Sequence, residues 1–294
     1  MSNLKIGAWL QRYFPGAARW LTDKLVGYML TKQYGQLDPN WRIINALPSL
    51  TLAPRGVQDG ILSYLKDGSL ESTYGIKRFV GPKSIELDDG TVLHDIDAVI
   101  CATGYTADFS VTPFIEKGRP PNYDGPEIMR LWKNLFPPKY ADSIVMMCYS
   151  AFGKSNGFSF SDVASMAVSN VWRGAHPLPP VRVMEDWCDT HREWVAARWK
   201  LDNAADTSMC KIWEYQGFLH EAAGTGMENL GWGWQGWKFF FKDPKMSYLM
   251  NNGVETAHAF RFFETGKRKA WPGARDAIIH VNESVKVFPV TKTN

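Results

Sequence analysis

Between residues 84 and 93 apolar and polar side chains alternate, with Ser84-Ile85-Glu86-Leu87 and Thr91-Val92-Leu93 on either side of Asp88-Asp89-Gly90. A period of two broken by Asp-Gly predicts a hairpin. The rhythm then changes, because after Asp97 the run Ala98-Val99-Ile100-Cys101-Ala102 is apolar on both faces. That pattern predicts a central parallel strand. It exits through Thr103-Gly104-Tyr105, where small residues let a backbone approach closely. Residues 70–105 thus read as a β-meander feeding a buried strand. A second strand is expected at Ser143-Ile144-Val145-Met146-Met147-Cys148-Tyr149, followed by a loop rich in glycine and serine. Beyond it the period lengthens: Val163, Met166, Ala167 and Val171 recur at helical spacing, with Ser159 or Ser161 as N-cap and Gly174 as the stop. Helices at about 184–201 and 208–222 follow, with Trp187, Trp194 and Trp213 toward a core.

The first 50 residues read as helices and then loop, with Pro39 and Pro48 as punctuation. Ile6 to Leu30 is amphipathic, broken by Pro15-Gly16 and charged at Arg12, Arg19, Asp23 and Lys24. It is not an uninterrupted apolar span of about 20 residues, and Val285–Val290 is too short to span, so no transmembrane segment is expected. A domain boundary is expected after Tyr105, where Pro113, Pro120, Pro121 and Pro126 mark an irregular connector.

Composition narrows the picture. A chain of 294 residues with 45% hydrophobic residues, including 13 Trp, 16 Phe and 11 Tyr, excludes disorder and has room for one large or two smaller domains. A net charge of +3 is too small to imply a nucleic-acid partner. In Lys267-Arg268-Lys269, the one basic run, a solvated loop is expected rather than a phosphate grip. Cys101, Cys148, Cys188 and Cys210 show no paired spacing, which points to a reducing, cytoplasmic setting. Cys101, inside the apolar run, is read as a small hydrophobe.

Several segments carry a resemblance. The hairpin, then Asp97-Ala98-Val99-Ile100, then Ala102-Thr103-Gly104-Tyr105 resembles the Ala-Thr-Gly-Tyr linker of the flavin-containing monooxygenases (dimethylaniline monooxygenase-like). Leu178-Pro179-Pro180 with Met184, Asp243-Pro244-Lys245, Arg261-Phe262-Phe263 and Trp271-Pro272-Gly273-Ala274-Arg275-Asp276-Ala277-Ile278 resemble later family segments in the same order, as do Tyr34-Gly35 and Phe136-Pro137-Pro138. The family's two glycine-rich phosphate turns, one for FAD and one for NADPH, are not in this sequence. The literal match, Gly231-Trp232-Gly233-Trp234-Gln235-Gly236, follows no apolar strand and is bulky with tryptophan, so it reads as a lookalike. The resemblance therefore covers the family's C-terminal half.

It implies an α/β fold: an incomplete flavoprotein with two dinucleotide-binding domains, a Rossmann-like sheet with its β-meander, and a helical C-terminal region. Residues 1–105 correspond to the rest of an NADP-binding domain ending in the linker, and 106–294 to the C-terminal part of an FAD and substrate domain. An incomplete sheet leaves an open edge, from which self-association is expected. The family's reaction uses FAD and NADPH: reduced flavin captures oxygen as a C4a-hydroperoxide and passes one oxygen atom to a soft nitrogen or sulfur of a small molecule, or to a ketone. The cofactor carries this chemistry, so no side chain is assigned as catalytic. Ala102, Thr103, Gly104 and Tyr105, with Ser155, Asn156, Ser159 and Asp162, are the cofactor-binding candidates that the resemblance implies. N-capping is the competing role for the polar ones. Ala164 and Ser159 depart from the glutamine and proline the family has there. The isolated chain is expected to need an FAD-binding half, either lost from this product or supplied by a split partner; a non-catalytic remnant is the alternative.

Other chemistry is weaker. Gly153-Lys154-Ser155-Asn156-Gly157 matches a nucleophile elbow, which would pair Ser155 with Asp202 and with His258 or His280. Against it, the helix begins several residues later and no His-Gly-Gly oxyanion loop precedes it. The six histidines are scattered, and His220-Glu221 lacks a second histidine, so no metal site is expected. Arg275 reads as a tie for a terminal segment or as a phosphate contact.

Overall fold

Gly90 adopts a left-handed conformation (φ 87°), which lets the Asp-Gly turn close as the alternation predicts. In this computed structural model, which describes residues 9–10, 13–41, 60–102, 110–147, 157–201, 205 and 207–285, strand β2 (Ser84–Leu87) pairs antiparallel with β3 (Val92–Leu93) and with β1 (Ile76–Gly81). Ile85 and Leu87 are buried on one side of β2, while Glu86 on the other accepts from Lys77 Nζ at 2.7 Å and from Arg78 Nε at 2.7 Å. Contacts divide the chain into two units, and these strands belong to Trp20–Phe114, together with most of helix α1 (Pro15–Tyr34) and all of α2 (Ile61–Asp67). Pro15 opens α1, where a missing N–H costs nothing. Trp20, Leu21, Leu25, Tyr28 and Met29 along it are exposed.

One expectation fails in this unit. Asp97–Ala102 forms no strand: Ile100 is 89% exposed, Cys101 is exposed, and the run is tied back by Ile96 N–H donating to Lys83 O at 3.0 Å and by a Lys83–Asp97 ion pair. A strand buried on both faces needs a hydrogen-bonded neighbour on each side and cover above and below. Among the described residues β1-β2-β3 provides neither, and all pairing there is antiparallel. The protein is thus a mixed helix and sheet structure whose described sheets are small.

The other unit comprises Met1–Arg19 and Ile115–Asn294. After the short pair β4 (Lys117–Gly118) and β5 (Ile128–Met129), Lys133 and Asn134 turn left-handed (φ 51° and 52°), and Trp132 N–H donates to Phe136 O at 2.7 Å. The turn drives Leu135 and Phe136 fully into the core. Ser143–Met147 is irregular rather than a strand, held by Ile144 N–H to Tyr140 O and Met146 N–H to Leu135 O, each 2.8 Å; isolated bonds of this kind make no ladder, and Cys148 and Tyr149 lie outside the described residues.

Three helices form near where their period predicts: α3 (Gly157–Trp172), α4 (Val181–Trp199) and α5 (Ile212–Ala223). Three more that the pattern did not single out follow: α6 (Trp234–Lys242), α7 (Pro244–Asn252) and α8 (Ala274–Ser284). Helix α3 begins at Gly157, before either expected serine cap. Gly174 (φ 78°) and Gly224 (φ 63°) stand beyond the ends of α3 and α5. Ala164 and Ala167 on α3 and Ala222 and Ala223 on α5 are small enough for close approach, and Asn170 Nδ2 donates across to Ala222 O at 2.7 Å in the buried interior. Phe136, Phe218, Leu219, Met246, Phe260 and Ile278 fill the rest of this core. No described helix is long and apolar enough to cross a membrane.

Candidate functional site

Two ion pairs knit together segments far apart in sequence. Asp162, in the second turn of α3, receives both terminal nitrogens of Arg261, which closes the 3-10 turn Ala257–Arg261; each contact is 2.5 Å. Arg261 also donates to Ala257 O at 3.1 Å. Next to it, Arg268 Nη1 donates to Phe260 O at 2.5 Å and lies 3.0 Å from Met166 Sδ. Hydrogen bonding to Asp162 raises the pKa of Arg261, whereas burial and then the neighbouring Arg261 lower that of Arg268. One carboxylate thus faces two guanidinium groups.

The second pair joins Asp243 to Arg275. Asp243 caps α7 by accepting from Met246 N–H at 3.1 Å and also accepts from Arg275, whose bond is the first cause holding its carboxyl below the usual range. Arg275 is therefore a tie. The Asp-Pro-Lys and Trp-Pro-Gly-Ala-Arg segments, recognised separately, are in direct contact.

The basic run is corrected. Lys267 Nζ donates to Glu221 O at 2.8 Å and sits 3.2 Å from His176 Nδ1, Arg173 donates to Lys267 O, and Arg268 is partly buried as described; only Lys269 is exposed. The run staples the end of α5 and the 3-10 turn. The glycine pattern at 231–236 is a packing device: a Cβ on Gly236 would lie 1.8 Å from Gly231 O, so α6 sits directly on the preceding backbone. That contact leaves no cradle for a pyrophosphate. Among the described residues no glycine turn links a strand to a helix, so they do not by themselves form a phosphate site for FAD.

Of the cofactor candidates, Ala102 is exposed and irregular, and Asp162 is committed to Arg261. Thr103, Gly104, Tyr105, Ser155 and Asn156 lie outside the described residues, as does the side chain of Ser159, which stands in the first turn of α3. Ser155 and Asp202 of the hydrolase alternative also lie outside, and His258 packs against Trp271 with ring centroids 5.4 Å apart.

Sequence reasoning missed an aromatic ladder on α4. His191 stacks between Trp187 (4.9 Å) and Trp194 (5.7 Å), Lys133 lies 4.8 Å from the Trp187 ring, and Arg198 lies 4.9 Å from that of Trp194. The spacing 187, 191, 194, 198 was a legible helical stripe. Burial, reinforced by Lys211, pushes the His191 pKa down to about 4, and its Nδ1 is buried without a partner. A cleft of about 210 Å³ opens beside it, lined by Asp186, Trp187, Thr190, Lys211 and Glu214. Glu214 accepts from Trp187 Nε1 at 2.9 Å and from Lys133 at 3.3 Å, which uses the cleft's charges internally. His220 is likewise held near 4 by burial, and the Cys188 and Cys210 thiols are pushed up to about 12 by burial. Among the described residues no three His, Cys, Asp or Glu side chains are placed to hold a metal ion.

Comparison with known proteins follows this geometry. A model of the family described as flavin-binding monooxygenase-like matches residues 56–293. Monooxygenase aurF of Gibberella zeae is 32% identical over 285 residues, 93% of this chain and 53% of that protein. Flavin-containing monooxygenase 3 is 26% identical in Oryctolagus cuniculus, over 72% of this chain and 36% of the relative, and 29% identical in Homo sapiens, over 69% and 35%. The chain thus spans about half of the first relative and about a third of the others.

Proposed function

Because this chain belongs to the flavin-binding monooxygenase-like family, we propose that it contributes the C-terminal portion of an FAD- and NADPH-dependent monooxygenase that transfers one oxygen atom to a soft nitrogen or sulfur of a small molecule, or to a ketone. The observation that carries this reading is the meeting of Asp243 with Arg275, which joins two segments that the resemblance singled out independently. In this reading residues 1–105 belong to an NADP-binding domain of Rossmann type, and 106–294 to the FAD and substrate domain. Ala102, Thr103, Gly104 and Tyr105 form the linker segment and are assigned to cofactor binding. Ser155, Asn156 and Ser159 are the polar candidates for flavin contact, in the segment that leads into and opens α3, and a helix N-terminus favours negative charge. Asp162 acts one step back. Its bond to Arg261 fixes α3 against the 3-10 turn, so its role is positioning.

The sequence has no glycine-rich dinucleotide turn preceded by a strand, and therefore the isolated chain is inactive in this reading. Those turns come from a glycine-rich half, on the same or a separate polypeptide. Co-expression with a family segment carrying both turns tests this. The expected result is a yellow complex that oxidises NADPH in the presence of an amine or sulfide; a stable but colourless complex would refute the assignment.

A further inference from the structure

Asp186 and Thr190 stand four residues apart on α4, as do Trp187 and His191, so these four side chains share one face of the helix. Lys211, the N-cap residue of α5, and Glu214, in its first turn, complete the lining of the cleft of about 210 Å³. Of the six, His191 alone is buried, at 4% exposure, and its ring lies parallel to that of Trp187 with an interplanar angle of 7°. Its Nδ1 is enclosed without a hydrogen-bond partner among the described residues. A neutral imidazole carries one donor and one acceptor, and leaving either unmatched in the interior is costly, so an orphan of this kind calls for a ligand or a water.

The rest of the lining is only partly committed. Glu214 Oε2 accepts from Trp187 Nε1 at 2.9 Å and from Lys133 Nζ at 3.3 Å. Oε1 lies 3.6 Å from Lys211 Nζ, an ion pair longer than a hydrogen bond, so that oxygen and the Lys211 ammonium keep free hydrogen-bonding capacity among the described residues. Thr190 Oγ1 donates to the backbone oxygen of Asp186 at 3.1 Å, which leaves the Asp186 carboxylate open among the described residues. The N-terminus of α5 has no side-chain cap. Neighbouring charges on α4 add no bias: Asp189 is held by Arg130 at 3.0 Å and Arg192 at 2.8 Å, and Arg182 and Glu185 are of opposite sign. Burial keeps His191 neutral at pH 7, so it adds no charge.

The cleft thus has a positive pole at Lys211 and the uncapped start of α5, and a negative pole at Asp186 and Glu214 Oε1. A simple anion meets the open carboxylates and a simple cation meets the lysine, whereas a molecule with both charges satisfies each pole. The volume equals about seven waters at about 30 Å³ each, which suits roughly six to ten non-hydrogen atoms. We infer that this cleft binds a small zwitterion of the α-amino acid kind, its carboxylate on Lys211 and its ammonium on Asp186 and Glu214, with His191 supplying a buried hydrogen bond. None of these residues enters the oxygen-transfer reading, so the site stands apart from it.

The test titrates the full chain with glycine, L-alanine and L-serine at constant ionic strength, following the histidine rings by nitrogen NMR, with His191 assigned through His191→Phe. A saturable shift of the His191 resonance is expected, with a dissociation constant on the order of 1 mM for so small a ligand. Ethylamine and propanoate, which each keep one charge of alanine, should bind at least about tenfold more weakly. Asp186→Asn and Lys211→Gln should each weaken alanine binding about tenfold, while Glu193→Gln, on α4 outside the cleft, should leave it within about twofold. Asp186 is exposed, so its variant keeps the test decisive even if the Lys211 change disturbs Glu214. A His191 resonance that none of the amino acids moves would mean that water alone satisfies the imidazole, and would overturn the inference. Equally tight binding of ethylamine or propanoate would overturn it too, as would undiminished alanine binding by Asp186→Asn.

Discussion

Asp162→Asn is the most informative single change, because one carboxylate holds α3 to the 3-10 turn and offsets two arginines. The side chains of Arg261 and Asp162 are 31% and 26% exposed, so the pair lies between the buried and surface limits. Two unit charges about 4 Å apart attract by about 4 kcal/mol at an effective dielectric constant near 20, and desolvation removes roughly half of that. The remainder, about 2 kcal/mol, is the expected cost, since asparagine keeps the shape and one hydrogen bond but removes Arg261's ion-pair partner beside Arg268, leaving Glu264 as the carboxylate acting on Arg268. For a unit of this size that is a fall of roughly 4–8 °C in melting temperature. A double-mutant cycle with Arg261→Gln separates the pair from its surroundings, with urea midpoints followed by tryptophan emission. A coupling energy of about 1–2 kcal/mol is expected. A cost below about 0.5 kcal/mol, or additivity of the two changes, would show that the contact is as weak as an exposed surface pair and would refute the reasoning.

Three further outcomes follow from the same geometry. His191 and His220 have pKa values pushed down to about 4, so between about pH 6.5 and 4 the unfolded chain binds protons that the folded chain refuses; stability falls as pH drops through that window by up to about 3 kcal/mol per histidine, then levels off below it. His191→Phe should flatten part of this slope, and a urea midpoint whose pH dependence is unchanged in that variant would contradict it. Gly236→Ala should cost at least about 2 kcal/mol because its Cβ meets Gly231 O, whereas Gly233→Ala, with nothing within 4 Å, should be nearly neutral; equal melting temperatures would show that α6 shifts freely. Asp243→Ala should cost about 1–2 kcal/mol, through loss of both the α7 cap and the Arg275 pair, and Arg275→Ala less than about 1 kcal/mol, since Arg275 is half exposed; the reverse order in thermal melts would contradict the capping role.

What the sequence disclosed follows the range of the interactions. The hairpin was legible because Gly90 and the alternation beside it act over a few residues, and α3, α4 and α5 because their apolar stripes have the helical period. The apolar run at 97–102 promised a strand, yet strand formation depends on neighbours that the run cannot specify, and Ile100 stands exposed. Lys267-Arg268 looked solvated because local charge counts do not register that Phe260 O, Met166 Sδ and Glu221 O lie within reach. Asp162 was singled out by its match in register to an aspartate of the family. Its partner lies 99 residues away, beyond the reach of any local pattern. The ladder through His191 needed a neutral imidazole between two tryptophans, a condition set by burial rather than by spacing.

As a member of the flavin-binding monooxygenase-like family, the chain is proposed to depend for flavin binding on dinucleotide turns outside its own sequence. The visible absorbance spectrum of the purified full chain, taken after incubation with FAD and removal of the excess, tests it most directly. A colourless protein that acquires a flavin band only when the glycine-rich half is supplied is the predicted result. Stoichiometric flavin retained by the chain alone would contradict it.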